Sequence, residues 1–425
     1  MRIMLVTSMV PDAGGVGAIP KLLAAQLRGL RERGHDVTLV TSFGEDPGQA
    51  EAAAELLASD LDAHILDRRR SPSARRRWRV RGELAATWAT KPWPWRVVCG
   101  AAGLQPLLDR AAASGEFDVV AVEDNPVAVL RFPAGVPVVL TEHEAIRAPA
   151  SQLGPARLSE RPLRALRARD WKRWDGFLPS LWERFDLLQV FCEADAAEVR
   201  RAAPPLAPRV RVDPYGMILP AATDPAREQP GTVLFAGTFA HLPNRDAARW
   251  LATEIMPAVR ARHPGARLRI VGSAPPSEIL GLAGDGIEVI ADAPSMEPHL
   301  EAAAVVVAPV RSGGGMRMKV LEAMARRKAV VTTDLGAEGF AGLEPKLPLV
   351  LANDAAGIAA GIAGLLERDG ERRELGRQAR EFAQRHHSPA AWAARLEAVY
   401  SETRVAAAPA PRDALAHSSR KDFPR

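Results

Sequence analysis

Val305-Val306-Val307-Ala308-Pro309-Val310-Arg311-Ser312-Gly313-Gly314-Gly315-Met316-Arg317-Met318-Lys319-Val320-Leu321-Glu322 reads as a buried strand, a glycine-rich turn and the opening of a helix that runs from Met316 to Arg326. This order of elements belongs to parallel-sheet α/β folds, and it suits phosphate. The first N–H groups of a helix lack intrahelical partners, the macrodipole is positive there, and glycine lets a ligand approach the backbone. Arg317 and Lys319 place two cations at the end where that dipole opposes them, which calls for a bound polyanion. Glu322, further into the helix, is placed to accept hydrogen bonds from a ribose diol. Glycines alone mark many tight turns; the cations and the carboxylate carry the anion-binding expectation.

Outward from this stretch, the second half of the chain alternates strands and helices. A strand over 232–236 ends at Gly237, Asn244 is the expected cap of a helix starting near Arg245, and a strand over 267–271 ends at Gly272. Strands over 288–290 and 329–332 continue the sheet. Helices over 355–367, 371–386 and 389–400 close the series. The first half opens as a βαβ unit: a strand over 3–7, a loop over 14–17, a helix to about Arg33 ended by Gly34, and a strand over 37–40. Gly14-Gly15-Val16-Gly17 lacks the third glycine of a dinucleotide fingerprint. Gly15 therefore lies either in a ligand-admitting loop or in a plain connection. Strands over 117–122 and 138–140 are followed by Glu123-Asp124-Asn125 and Thr141-Glu142-His143-Glu144. Ligands of open α/β sheets bind outside the carboxyl ends of strands, so both tips are site candidates, His143 foremost. Further strands over 187–192 and 210–212 lead to Tyr215-Gly216.

Pro220, Asp224, Pro225, Glu228, Gln229 and Pro230 mark a linker. The expected division is 1–217, a linker over 218–230, 231–388, a helix over 389–404 that packs back on the first domain, and a disordered tail over 405–425.

Composition narrows the class. The chain has 425 residues, 47% hydrophobic and 25% charged, with a formal net charge of +5. That describes a globular, mildly basic protein suited to an anionic ligand or surface. Cys99 and Cys192 are too few for a disulfide framework, and no apolar run approaches the ~20 residues that span a bilayer. The expected location is the cytosol, with attachment to the inner face of a membrane allowed. Arg68, Arg69, Arg70, Arg75, Arg76, Arg77, Arg79 and Arg81 surround Trp78, with Trp93 and Trp95 following. This segment fits either a solvated face or an anionic lipid surface. No recognised nucleic-acid module accompanies it, so nucleic acid is not expected as a partner. Asp60-Leu61-Asp62 has the spacing of a metal pair but no supporting ligands, and no metal is expected.

The second half resembles glycosyltransferase family 4, whose members have the GT-B architecture of two Rossmann-like domains facing each other across a cleft. The resemblance rests on Phe235-Ala236-Gly237, Pro243-Asn244, Ile270-Val271-Gly272, the run from Gly313 to Ala325, Val330-Val331-Thr332-Thr333 and Gly336-Ala337-Glu338-Gly339. It covers roughly residues 232–400. Gly34-His35-Asp36-Val37 and the glycine loop before them are similar to the family's first half. The resemblance implies a nucleoside-diphosphate sugar donor held by Gly15, Gly237, Gly272, Gly313, Gly314, Gly315, Met316 and Glu322. It also implies an acceptor of unspecified chemistry on the first domain, retention of anomeric configuration, and no metal or cofactor. His143, Arg317 and Lys319 are the expected catalytic set, with His143 neutral. Gly314 stands where the family commonly carries the first of two glutamates, which leaves the donor sugar open. Thr238 and Pro243 lie near the family's usual arginine and lysine, so Arg317 and Lys319 are expected to supply that charge. A catalytically weak sugar-nucleotide-binding subunit is the alternative. A sugar-nucleotide epimerase fits less well, because its characteristic carboxylates are not evident.

Overall fold

The computed structural model describes residues 1–15, 17–69, 74–143, 145, 161–220, 224–314 and 317–406. The first half contributes seven parallel strands: β1 (Arg2–Thr7), β2 (Asp36–Phe43), β3 (Asp62–Asp67), β4 (Val119–Glu123), β5 (Val138–Thr141), β6 (Leu187–Val190) and β7 (Val210–Val212), in the order β3-β2-β1-β4-β5-β6-β7. The second contributes β8 (Thr232–Ala236), β9 (Arg267–Gly272), β10 (Ile287–Ala291), β11 (Val305–Ala308), β12 (Ala329–Thr332) and β13 (Val350–Leu351), in the order β10-β9-β8-β11-β12-β13.

Both sheets have helices on their two faces, which is why their central strands are apolar on both sides. Ile3, Met4, Leu5 and Val6 are fully buried, as are Val305, Val307 and Ala308. Strand order reverses between β1 and β4 in the first sheet and between β8 and β11 in the second. The crevices at such switch points lie outside the strands' carboxyl ends. Four loops flank them: those after β1, β4, β8 and β11.

Two strands had no counterpart in the sequence reading. β3 is a half-exposed edge with His64 at its middle, so it shows no continuous apolar run. β13 has only two residues. The pair Asp60 and Asp62 is accounted for structurally: Asp60 accepts from Arg31, and Asp62 from Thr38 Oγ1.

The helix Pro389–Ala406 lies against the helix Ala18–Glu32 of the first half. A Cβ on Gly29 would sit 2.2 Å from the Pro389 carbonyl oxygen, so glycine sets this crossing distance. Trp392 and Tyr400 are buried there, Trp392 Nε1 donates to Asp213 Oδ2 at 3.1 Å, and Arg395 Nε donates to Asp213 Oδ1 at 2.5 Å. Burial pushes the Asp213 carboxyl up to about 6, against the pull of Arg395. Met217 N donates to the His387 carbonyl at 2.8 Å, which ties the connection between the halves to the same corner. The helix runs on through Ala406, two residues into the tail expected over 405–425, and residues 407–425 lie outside the described residues.

Candidate active site between the two sheets

On the second sheet's side, the chain leaves β11 and makes a turn in which Gly313 has φ +97°, a value costly for any residue with a Cβ. The helix begins at Met318, with Arg317 as its cap, two residues later than the sequence reading placed it. Arg317 turns back on its own loop: Nη1 donates to the Gly314 carbonyl at 2.6 Å and Nη2 to that of Gly313 at 2.8 Å. Its Nε is buried without a partner among the described residues. Burial holds the Arg317 pKa below the usual arginine range, against the pull of Glu338. Gly315 and Met316 lie outside the described residues.

Lys319 Nζ donates to Asn244 Oδ1 at 2.6 Å and sits 4.7 Å from the centroid of the Phe235 ring. Burial, with Arg317 nearby, brings its pKa down to about 7 despite Glu322. Asn244 is not the helix cap the sequence suggested. The helix starts earlier, at Leu242, because Pro243 fits its first turn, and Asn244 is left free to bridge the Thr238 carbonyl and Lys319. Gly237 makes room for this bridge, since a Cβ there would lie 3.0 Å from Asn244 Cγ and 3.2 Å from Lys319 Nζ. A Cβ on Gly272 would meet the Gly237 carbonyl oxygen at 1.7 Å. Gly272 thus serves the close approach of two strand tips.

On the first sheet's side, Glu123 ends β4 and is buried. Its Oε1 accepts from Gln26 Nε2 at 2.7 Å and Thr141 Oγ1 at 2.8 Å, and its Oε2 lies 3.1 Å from His143 Nε2. Burial lowers the His143 pKa, but the hydrogen bond to Glu123 and the charges of Glu123, Asp124 and Glu142 outweigh it, and the net direction is upward. That direction runs against the neutral form expected of His143, because the three carboxylates favour the charged ring. Gln26 and Thr141 fix the Glu123 carboxylate, and Glu123 in turn fixes the ring. Glu142 is structural, bonded to Asn125 and to Trp182 Nε1. Gly15 lies against Pro20 and Asp12, where a Cβ would approach to 2.9 Å and 3.1 Å, so local packing already demands a glycine.

Between the sheets, the rings of His143 and Phe191 meet edge to face at 5.1 Å, and those of Phe191 and Tyr215 at 5.2 Å. Tyr215 reaches the charges of Glu322 and Arg317, and its buried hydroxyl has no partner among the described residues. Lys21 Nζ donates to Glu322 Oε1 at 3.0 Å across the gap. The expected ribose carboxylate is thus paired with a lysine of the first half. Among the described residues, no group of three His, Cys, Asp or Glu side chains is arranged to hold a metal ion.

Sequence reasoning did not single out Lys21, Tyr215 or the role of Asn244. Lys21 looks like any polar position on an amphipathic helix, and Tyr215 followed a short strand with no motif around it. Glu123 lies within the strand tip marked by Glu123-Asp124-Asn125, where nothing local distinguishes it from its neighbours.

The basic segment divides. Arg68 is half-buried and donates to the Cys99 and Gly100 carbonyls, which turns it inward, and the exposed Arg69 has its charge paired with Asp67. Residues 70–73 lie outside the described residues. The helix Ala74–Thr90 exposes Trp78 (71%) and lies beside a second basic helix, Arg161–Trp182, which exposes Leu166. Trp88 Nε1 donates to Asp170 Oδ1 at 2.6 Å, and Arg173 stacks on Trp88 at 4.2 Å, joining the two helices.

Residues 230–368 match the family model described as glycosyl transferases group 1. The match lies within the second half and takes in the glycine turn, Arg317, Lys319 and Glu322. A phosphatidyl-myo-inositol mannosyltransferase from Mycolicibacterium smegmatis is 34% identical over 149 residues, covering 32% of this chain and 36% of the relative. The similarity thus spans about a third of that curated relative. Among solved structures, TarM is 11% identical with a TM-score of 0.63, covering 94% of this chain and 99% of that one. Sucrose-phosphate synthase from Thermosynechococcus elongatus is 17% identical with a TM-score of 0.62, covering 96% and 100%. Anabaena HepE, solved with UDP and glucose, is 14% identical with a TM-score of 0.60, covering 94% and 99%. The group 1 match and these neighbours, together with the two parallel sheets, make the architecture GT-B.

Proposed function

We propose that this chain transfers a glycosyl group from a nucleoside-diphosphate sugar to an acceptor hydroxyl, with retention of configuration and without a required metal. The observation that carries the reading is the meeting of Arg317 and Lys319, at a glycine-rich helix start, with Glu322 one turn on. Two cations and free N–H groups offset the charge that grows on a departing diphosphate, the task a divalent cation performs elsewhere. The bond from the anomeric carbon to the diphosphate oxygen breaks and the bond to the acceptor oxygen forms on the same face. The acceptor's proton passes to the leaving phosphate oxygen. His143, held by Glu123, donates a hydrogen bond to the sugar or steadies the reacting centre. Glu322 binds the ribose by exchanging or sharing its bond with Lys21.

Thermal shift with a panel of sugar nucleotides identifies a donor, because a ligand that binds only the folded state raises its apparent stability. NMR of the product then reads the anomer. An inverted product, or activity that vanishes with chelator and returns with Mg²⁺ or Mn²⁺, overturns the mechanism. Donor binding without acceptor-dependent release of nucleoside diphosphate points instead to an accessory subunit. The exposed Trp78 on a basic helix further supports an anionic lipid surface as the place where the acceptor is met.

A further inference from the structure

We infer that Glu338 binds the hydroxyls of the transferred sugar, so that the loop after β12, rather than the glycine turn after β11, selects the donor's glycosyl group. This rests on the transferase reading above. β11 and β12 are parallel neighbours, with Ala308 opposite Thr332, so the loops leaving them emerge side by side. The β12 loop is drawn in tightly: a Cβ on Gly336 would lie 2.0 Å from Thr332 Oγ1 and 3.2 Å from the Ala308 carbonyl oxygen. Glu338 therefore stands directly beside the turn that carries Arg317. That turn offers glycines at 313–315, with no side chain to hydrogen-bond a sugar.

The other polar side chains near the start of the β12 loop are already engaged. Thr333 Oγ1 donates to the Val310 carbonyl at 2.7 Å and accepts from Gly336 N, while Asp334 Oδ2 accepts from Asn353 at 2.7 Å. Glu338 Oε2, in contrast, is buried with no partner among the described residues. Arg317 does not bond it, since its two Nη groups go to the Gly313 and Gly314 carbonyls. From the other side, the helix Glu193–Ala202 of the first half packs against the turn Glu338–Phe340, which brings Asp195 close. A buried carboxylate oxygen without a donor is costly, and a ligand hydroxyl is the donor that removes the cost. Tyr215 Oη and Arg317 Nε, also buried and unpartnered, belong to the same surroundings. An oxygen-rich, neutral, polyhydroxylated group adjoining a diphosphate meets all three.

The test compares Glu338→Gln and Glu338→Ala with the unaltered protein by calorimetry. UDP-glucose, UDP-N-acetylglucosamine and GDP-mannose are each measured against their own nucleoside diphosphate. For the donor that binds, the variants weaken the sugar nucleotide by about tenfold or more, the usual loss for a hydrogen bond to a charged group. Nucleoside diphosphate affinity stays within about twofold, which also certifies that the variants fold. Equal weakening of sugar nucleotide and nucleoside diphosphate, or no weakening of either, overturns the assignment and leaves the transferase reading standing. If the unaltered protein binds no member of the panel, the transferase reading fails, and this inference fails with it.

Discussion

Replacing Lys319 with methionine removes a titrating group as well as a charge, and this gives a direct measure of whether a diphosphate binds beside it. The Lys319 pKa is brought down to about 7, so at pH 7 the ammonium is about half formed and at pH 8 roughly a tenth formed. A diphosphate in contact favours the charged form and raises the pKa well above 8. Binding then takes up about half a proton at pH 7, about 0.9 at pH 8, and about 0.1 at pH 6. Calorimetry of UDP or GDP binding in two buffers of different ionisation enthalpy reads this uptake. Subtracting the Lys319→Met variant removes the ligand's own protonation. Stability gives an independent check on the sign. The folded pKa lies below the unfolded one, so the unfolded chain holds the extra proton between about pH 7 and pH 10.5 and folding strengthens as pH rises through that window. Lys319→Met flattens this slope. Equal proton uptake by the two proteins at pH 8 refutes the placement of the diphosphate.

Arg317→Ala lowers turnover by about 10²–10³, the usual loss for one preorganised electrostatic contact; unaltered turnover and donor affinity remove Arg317 from the site. Gly272→Ala forces a Cβ onto the Gly237 carbonyl oxygen and costs about 1–3 kcal/mol or more, measured by denaturant unfolding, and an unchanged midpoint would show that the strand tips are not held as described. Sedimentation with vesicles containing anionic lipid weakens with salt and falls severalfold when Trp78→Ala is combined with Arg79→Gln and Arg81→Gln. Equal sedimentation by the altered protein rules out that surface.

The central strands were legible because burial on both faces writes them as β-branched runs, as in Val305–Ala308. The glycine turn was legible because phosphate binding constrains backbone and charge together over a short stretch. The partners of those residues were not. Asn244 meets Lys319 across 75 positions and Lys21 meets Glu322 across 301, and no local periodicity encodes such separations. The carboxylate partner of His143 is hidden for the same reason, since Glu123 reaches it only through the pairing of β4 with β5. Arg68 shows the reverse error. Eight arginines read as one basic face, yet hydrogen bonds to the Cys99 and Gly100 carbonyls turn the first of them inward.

The way the halves are joined bears on how a donor enters. An extensive contact between them is the helix Pro389–Ala406, whose Trp392 and Tyr400 are buried and whose Arg395 holds the buried Asp213. That corner fixes one end of the interface. At the site itself, beside the packing of the helix Glu193–Ala202 on the turn Glu338–Phe340, the halves meet in the Lys21–Glu322 pair, with side chains 33% and 20% exposed. Partly exposed ion pairs contribute only about 0–1 kcal/mol, so this one does not hold the halves together against a ligand. A ribose that offers two hydroxyl donors to Glu322 competes with a single ammonium at little cost. Lys21 is then released beside a newly arrived diphosphate, where its charge is of use. The pair therefore holds Glu322 oriented until the donor arrives, and its weakness is what allows the exchange.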